Sequence, residues 1–292
     1  MSAFLQSNWE RKIRQKLPYF DDLLSQLARR DPSTEKSFGR HVHWGYWDNP
    51  SAATREDEGY AQAAELLTRE LCDLAEIAED EQVLDVGCGF GGTIASLNER
   101  FRRLRLAGLN IDERQLARAR RQVIAMEDNR VAFCQGDACR LPYADGSMDR
   151  VLAVECIFHF PSREDFFAEA RRVLRPGGVL ALSDFVPSPL FLPVGGLANS
   201  RPLRKFNYFG RCNVQYTIKR YRRLACEHGL TSCVERNITR HTLPTYDYLQ
   251  GMLARAAPSS VASQTSRALV AVLKMLGTYK LLNYYLLSFR KP

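Results

Sequence analysis

Three short stretches carry side chains able to do chemistry. In residues 82–92, QVLDVGCGFGG, Asp85 stands just ahead of Gly87, Gly89, Gly91 and Gly92. Glycines allow a tight turn and a close approach of backbone to a ligand, because no Cβ intervenes. The lack of a following Lys-Ser/Thr pair argues against a phosphate-cradling P-loop, and the spacing is not that of the dinucleotide fingerprint G-x-G-x-x-G. An acid at this point is a poor neighbour for phosphate and a good one for a cationic cofactor. In residues 153–161, AVECIFHFP, Glu155 precedes His159 by four residues. Core packing gives no reason for Glu and then His at the end of an apolar strand. The near-neutral imidazole of His159 suits a general base acting on a hydroxyl, an amine or a ring carbon. Glu155 would orient a substrate, or stabilise a cation if an alkene were attacked. The third stretch, HVHWGYW at 41–47, packs three aromatics and two histidines into seven residues. That is too apolar for an ordinary loop; it reads as an aromatic cover on a site or as a cluster packed on the core.

These residues need elements to position them. Residues 83–86 form a short apolar run, a buried strand, and an amphipathic run at 93–101 follows the glycines. Strand, glycine turn and helix place a cofactor at the C-terminal end of a parallel strand. Further strands are expected at 105–111, 131–135, 150–155, 179–185, 233–242 and 283–290. Helices are expected at 62–78, 116–125, 163–174 and 217–228, with two more within 246–277. Such alternation gives right-handed βαβ units and a parallel sheet. Trp9, Ile13, Leu17, Phe20 and Leu24 recur at helical spacing around Pro18, so residues 1–30 read as a lid or a dimer segment. After Asp184 six prolines and glycines mark a long irregular insertion. The division expected is a lid segment at 1–60, a cofactor core at 61–185, a substrate cap at 186–216 inserted after the fifth strand, and the rest of the sheet at 217–292.

The Asp85 motif, Asp-x-Gly-x-Gly-x-Gly, resembles the first motif of the class I S-adenosylmethionine methyltransferases. His-Trp-Gly-Tyr-Trp is similar to an N-terminal segment of small-molecule enzymes of the tocopherol and sterol C-methyltransferase type. That resemblance implies that Tyr46 meets the cofactor, where an aromatic face attracts a sulfonium, and that Trp44 lines the substrate side. Residues 108–116, GLNIDERQL, look like the matching sterol-enzyme segment, which makes Asn110, Ile111 and Gln115 cofactor contacts. Asn110 occupies the position where an acid commonly meets ribose hydroxyls, and would bond them without charge assistance; in another register Asp112 would serve. Asp137 and Ala138 sit where this family binds adenine. Ala-x-Glu-x-x-x-His-x-Pro resembles both sterol-type enzymes and natural-product O-methyltransferases, and Leu-Arg-Pro-Gly-Gly at 174–178 is a further likeness. The implied fold is α/β: a Rossmann-like, seven-stranded, mostly parallel sheet with helices on both faces. The implied reaction is in-line transfer of a methyl group from S-adenosylmethionine. Asp85, Gly87, Gly89 and Glu155 would hold the donor, with Glu155 and His159 as catalytic residues. His159, Trp44, Phe206, Tyr208 and Phe209 would line the acceptor, a lipophilic or ring-bearing small molecule. O- and C-methylation both stand open.

Composition narrows the partners. The chain has 292 residues and a net charge of +8, spread unevenly: −5 over residues 1–80, 0 over 81–184 and +13 over 185–292. The basic last third would suit a carboxylate, phosphate or diphosphate on the substrate, or an anionic membrane surface met peripherally. It also keeps an RNA methyltransferase as an alternative, although no RNA-binding domain or Asn-Pro-Pro-Tyr-like tetrad is present. A non-catalytic S-adenosylmethionine-binding subunit is a further alternative, which the intact Asp85, Glu155 and His159 set argues against. Eight cysteines occur without Cys-x-x-Cys or zinc-finger spacing, so a reducing, cytoplasmic compartment and no metal are expected. No secretory leader is expected from the basic first 17 residues.

Overall fold

The computed structural model describes residues 17–192, 212–256 and 261–292. Seven strands form one sheet: β1 (Gln82–Val86), β2 (Arg105–Asn110), β3 (Arg130–Gln135), β4 (Met148–Ala153), β5 (Leu174–Pro187), β6 (Thr231–Asn237) and β7 (Leu282–Arg290). Their spatial order is β3-β2-β1-β4-β5-β7-β6. β7 enters between β5 and β6 and runs antiparallel to both; the other pairings are parallel. The order reverses between β1 and β4, which opens a crevice at the carboxyl ends of the strands, the usual ligand position in such sheets.

Ten helices occur among the described residues: α1 (Pro18–Ala28), α2 (Pro32–Phe38), α3 (Asp57–Leu74), α4 (Gly92–Arg100), α5 (Glu113–Gln122), α6 (Arg163–Val173), α7 (Ile218–Glu227), α8 (Thr239–Thr242), α9 (Pro244–Ala256) and α10 (Val261–Thr278). The central strands are apolar on both faces, as expected when helices cover each side. Leu84, Val86, Val151, Ala153, Leu180 and Leu182 face one core, where α6 and α7 supply Phe166, Phe167, Tyr221 and Leu224. Val83, Leu152, Val154, Ala181, Tyr284 and Leu286 face the other, against Leu67 and Leu71 of α3, Ile94 and Leu97 of α4, and Val270 of α10. No helix among the described residues is long and apolar enough to cross a membrane.

α1 starts at Pro18, the residue expected to interrupt the N-terminal helical pattern, and a missing N–H costs nothing in a first helical turn; Trp9 and Ile13 lie outside the described residues. Several other boundaries differ from the expectation, each for a local reason. β4 ends at Ala153, and Glu155 lies beyond it with φ at 49°. β5 begins at Leu174, because the Arg-Pro-Gly-Gly segment stays in the sheet: Leu174 is paired with Met148, and the Gly177 amide donates to Lys291. The stretch expected as a strand to residue 242 stops at Asn237. There the Asn237 side chain accepts from the amide and hydroxyl of Thr239 and starts α8. Phe206, Tyr208 and Phe209, and most of the expected cap, lie outside the described residues.

Candidate active site

The crevice between β1 and β4 holds a cavity of about 810 Å³. Its floor is the glycine turn after β1. Gly87 has φ of 77°, and a Cβ there would lie 2.7 Å from the Cβ of Cys156, so only glycine permits the turn to pass under β4. The amides of Gly87 and Cys88 both donate to the carbonyl of Leu109, at 2.7 and 3.0 Å, which ties the turn to the end of β2. Asp85, the residue before the turn on the α3/α4 face, is 1% exposed. Neither of its carboxylate oxygens has a hydrogen-bond partner. Burial pushes its carboxyl up to about 7, against a small lowering from the Thr93 side chain, which approaches without making a bond of normal geometry. An ionised acid held this way is costly in the absence of a cation, and so the position fits a positively charged ligand group.

Asn110 closes β2. Its Nδ2 donates to Gln115 Oε1 at 3.0 Å, and its Oδ1 accepts from the Asp112 amide at 3.2 Å. The two amides form one polar unit on the cavity wall, with Ile111 at its rim. Asp112 instead caps α5 and pairs with Arg114, at 2.6 Å. Asp137 and Ala138, after β3, line the far end, and Asp137 braces its own turn by accepting from the Cys139 amide at 2.8 Å.

Glu155 and His159 lie on the opposite side. Glu155 Oε2 accepts from the Trp44 amide at 3.0 Å and from the Tyr284 hydroxyl at 2.6 Å. Burial raises its carboxyl to about 8, more than these two donors lower it. His159 ends a short turn, Ile157–His159, with Nε2 3.3 Å from the Tyr19 hydroxyl and Nδ1 3.9 Å from Cys212 Sγ.

The expected residues thus divide. Asp85, Gly87, Gly89, Asn110, Ile111, Gln115, Asp137, Ala138, Glu155 and His159 share the wall of one cavity. Tyr46 and Trp44 stand apart from it. Tyr46 stacks on His241, with ring centres 4.7 Å apart. Trp44 is wedged edge-on against Phe185 and Tyr246, at 5.0 and 4.2 Å. Burying two large apolar rings in the core is more favourable than leaving them at a wet cavity, and it turns the start of the segment inward. His41, Val42 and His43 line the cavity in their place. His43 Nδ1 donates to the Trp44 carbonyl at 2.9 Å, which leaves Nε2 as an acceptor facing the Thr68 hydroxyl at 2.9 Å. Burial, then the neighbouring His41, pushes His43 down to about 3. His41 Nε2 bonds Glu65 at 2.9 Å. Glu65 is raised by burial but drawn down to about 2 by His41 and Ser96. Tyr19, Phe20 and Arg114 also line the cavity; Phe20 was legible only as part of the helical spacing of the N-terminal segment, and nothing local in the sequence marked Tyr19 or Arg114.

Comparison with known proteins gives the family. Residues 84–182 match the family described as "Methyltransferase domain". The 27-O-demethylrifamycin SV methyltransferase of Amycolatopsis mediterranei is 32% identical over 282 residues, 94% of each chain. The erythromycin 3''-O-methyltransferase of Saccharopolyspora erythraea is 30% identical over 87% of this chain and 84% of its own. Among solved structures, the [4+2]-cyclase SpnF superposes with a TM-score of 0.74 at 22% identity, over 95% of this chain and 96% of that one, a likeness of fold. Other structures of this fold were solved with S-adenosylmethionine or S-adenosylhomocysteine bound. The unpartnered Asp85 carboxylate, the Asn110–Gln115 amides and the size of the cavity fit that cofactor, and the chain belongs to the S-adenosylmethionine-dependent methyltransferases that act on small molecules.

Proposed function

We propose that this enzyme methylates a hydroxyl oxygen of a large, ring-bearing natural product, with His159 as general base. The observation that carries the reading is the state of the titratable groups around the cavity. His41 and His43 are bound into buried scaffold through Glu65, Trp44 and Thr68. Glu155 holds its proton up to about 8 and clamps Trp44 to Tyr284. His159 stands at the cavity wall with Nε2 directed to a cavity-lining hydroxyl. Two relatives similar over more than four-fifths of both chains are named for rifamycin-type and erythromycin substrates, the second for O-transfer.

S-adenosylmethionine supplies a methyl group already activated as a sulfonium. The chain's own residues therefore hold, align and deprotonate. Asp85 would pair with the ammonium of the donor's amino-acid end, and Asn110 with Gln115 would bond its ribose hydroxyls. Asp137 and Ala138 would meet the adenine. His159 would take the acceptor proton as the carbon–oxygen bond forms. Most of the rate would come from alignment, with about 10²–10⁴-fold from the base.

The test is a panel of hydroxylated macrolides and ansamycins, including 27-O-demethylrifamycin SV, with geranyl diphosphate as a C-methylation control. Each is incubated with deuteromethyl-labelled donor, and products are read by mass spectrometry. An O-methylated macrocycle is expected. His159→Ala should lower kcat by about 10²-fold or more while S-adenosylhomocysteine affinity stays within about threefold. A C-methylated product, or full turnover in His159→Ala, would overturn the reading.

A further inference from the structure

The lid helix delivers a side chain to the base. Tyr19 is the second residue of α1, and its hydroxyl meets Nε2 of His159, 140 residues away, at 3.3 Å. The two rings lie nearly parallel, 22° apart, with centres 6.2 Å apart, and both line the cavity. α1 is held in place independently of this contact. Phe20, 8% exposed, packs edge-on to Phe90 of the glycine turn at 6.3 Å. Asp21 bonds Arg114 of α5 at 2.8 Å. Arg118, one turn further along α5, lies over the Phe90 ring, 5.2 Å from its centre.

We infer that Tyr19 is a catalytic partner of His159: its hydroxyl passes the acceptor's proton to Nε2, and docking of α1 completes the pair. This rests on His159 as the base. The other ring nitrogen faces Cys212 Sγ at 3.9 Å. Burial pushes that thiol up to about 12, so it stays neutral and offers the ring no charge. Nε2 is the nitrogen turned toward the lid, and the Tyr19 oxygen occupies its hydrogen-bonding direction. An acceptor hydroxyl approaching Nε2 therefore meets Tyr19 first. In the step, the acceptor O–H bond breaks and its proton goes to the Tyr19 oxygen, while the Tyr19 proton goes to Nε2. The acceptor oxygen bonds the methyl carbon as the sulfur–methyl bond opens. His159 is left as imidazolium and later releases the proton to water. Tyrosine ends as it began, so no free phenolate is needed. The 3.3 Å separation is long for a hydrogen bond between oxygen and nitrogen, as is common before a substrate is bound.

The variants Tyr19→Phe, His159→Ala and the double substitution separate this from packing, because phenylalanine keeps the ring and its stack. Three readouts are taken: kcat and KM with the acceptor found in the panel, S-adenosylhomocysteine affinity by calorimetry, and ¹⁵N spectra of the five histidine rings in the S-adenosylhomocysteine complex. Tyr19→Phe should lower kcat by about 10–100-fold, leave KM and S-adenosylhomocysteine affinity within about threefold, and move the Nε2 resonance of His159. The double variant should be no slower than His159→Ala alone, because two groups acting in one step are not additive. Normal turnover in Tyr19→Phe, or losses that multiply in the double variant, would overturn the relay while leaving His159 as base. Normal turnover in His159→Ala would remove both.

Discussion

Asp85→Asn should stabilise the ligand-free fold and cripple cofactor binding, and the structure sets both magnitudes. The Asp85 carboxylate is 1% exposed and has no hydrogen-bond partner, and burial carries its pKa from 3.8 to about 7. A carboxyl that holds its proton more tightly in the folded chain favours folding below pH 3.8. That advantage is lost as pH rises through 7, where the fold must bury a bare charge. The full difference is worth about 4 kcal/mol at pH 8. Water entering the cavity shields part of the charge, so about 2–4 kcal/mol is expected. Asparagine keeps the shape and removes the charge. By thermal unfolding at pH 8 the variant should melt roughly 4–12 °C above the parent, and at pH 4 the gap should fall below about 1 kcal/mol. Calorimetry with S-adenosylhomocysteine should show affinity lower by about 10–100-fold, the loss of one charge-assisted contact. A variant less stable than the parent at pH 8, or a gap independent of pH, would refute the picture of an unpaired buried acid awaiting a cation.

Two further substitutions test the frame around the site. Arg163 is 1% exposed and bonds Asp184 at 2.6 Å and the Tyr221 hydroxyl at 2.9 Å, with Tyr216 stacked on its guanidinium at 4.2 Å. Arg163→Met strands Asp184 in the core and should cost about 3–5 kcal/mol in urea unfolding; a loss under about 1 kcal/mol would mean that Tyr221 alone holds the acid. Gly87→Ala places a methyl 2.7 Å from the Cys156 Cβ in a left-handed conformation, and should cost about 2–4 kcal/mol and weaken S-adenosylhomocysteine binding. An unchanged melting temperature would show that the turn relaxes freely.

The sheet was legible because strands buried on both faces leave short, mostly apolar runs, as in residues 83–86 and 179–182, with the acids Asp85 and Asp184 falling at or near their carboxyl ends. Their ends were less so. Arg175-Pro176-Gly177-Gly178 carries every local stop signal, yet the edge pairing with Lys291 keeps it in β5. The cavity was legible where chemistry and position coincide, at the ends of β1, β2 and β4: Asp85, Asn110, Glu155. Residues 41–47 show the limit. Their composition announced a special segment, but which side chains turn inward was decided by Phe185, Tyr246 and His241, elements far away in the chain. Tyr19 was beyond reach for the same reason: a contact spanning 140 residues leaves no periodicity to read.

The clamp at Glu155 bears on when the enzyme becomes competent. Its carboxyl joins Trp44, 111 residues upstream, to Tyr284, 129 residues downstream. Closing chain loops of that length is entropically slow, and such pairings form late in folding. Tyr284 also lies on β7, the last strand of the chain, which sits between β5 and β6. A nascent chain can therefore complete the glycine turn and the Asn110 wall long before the acid end of the cavity. β7 brings the hydroxyl that joins the N-terminal aromatic segment, through Glu155, to the far side of the sheet, and a chain that ends before β7 lacks that joint.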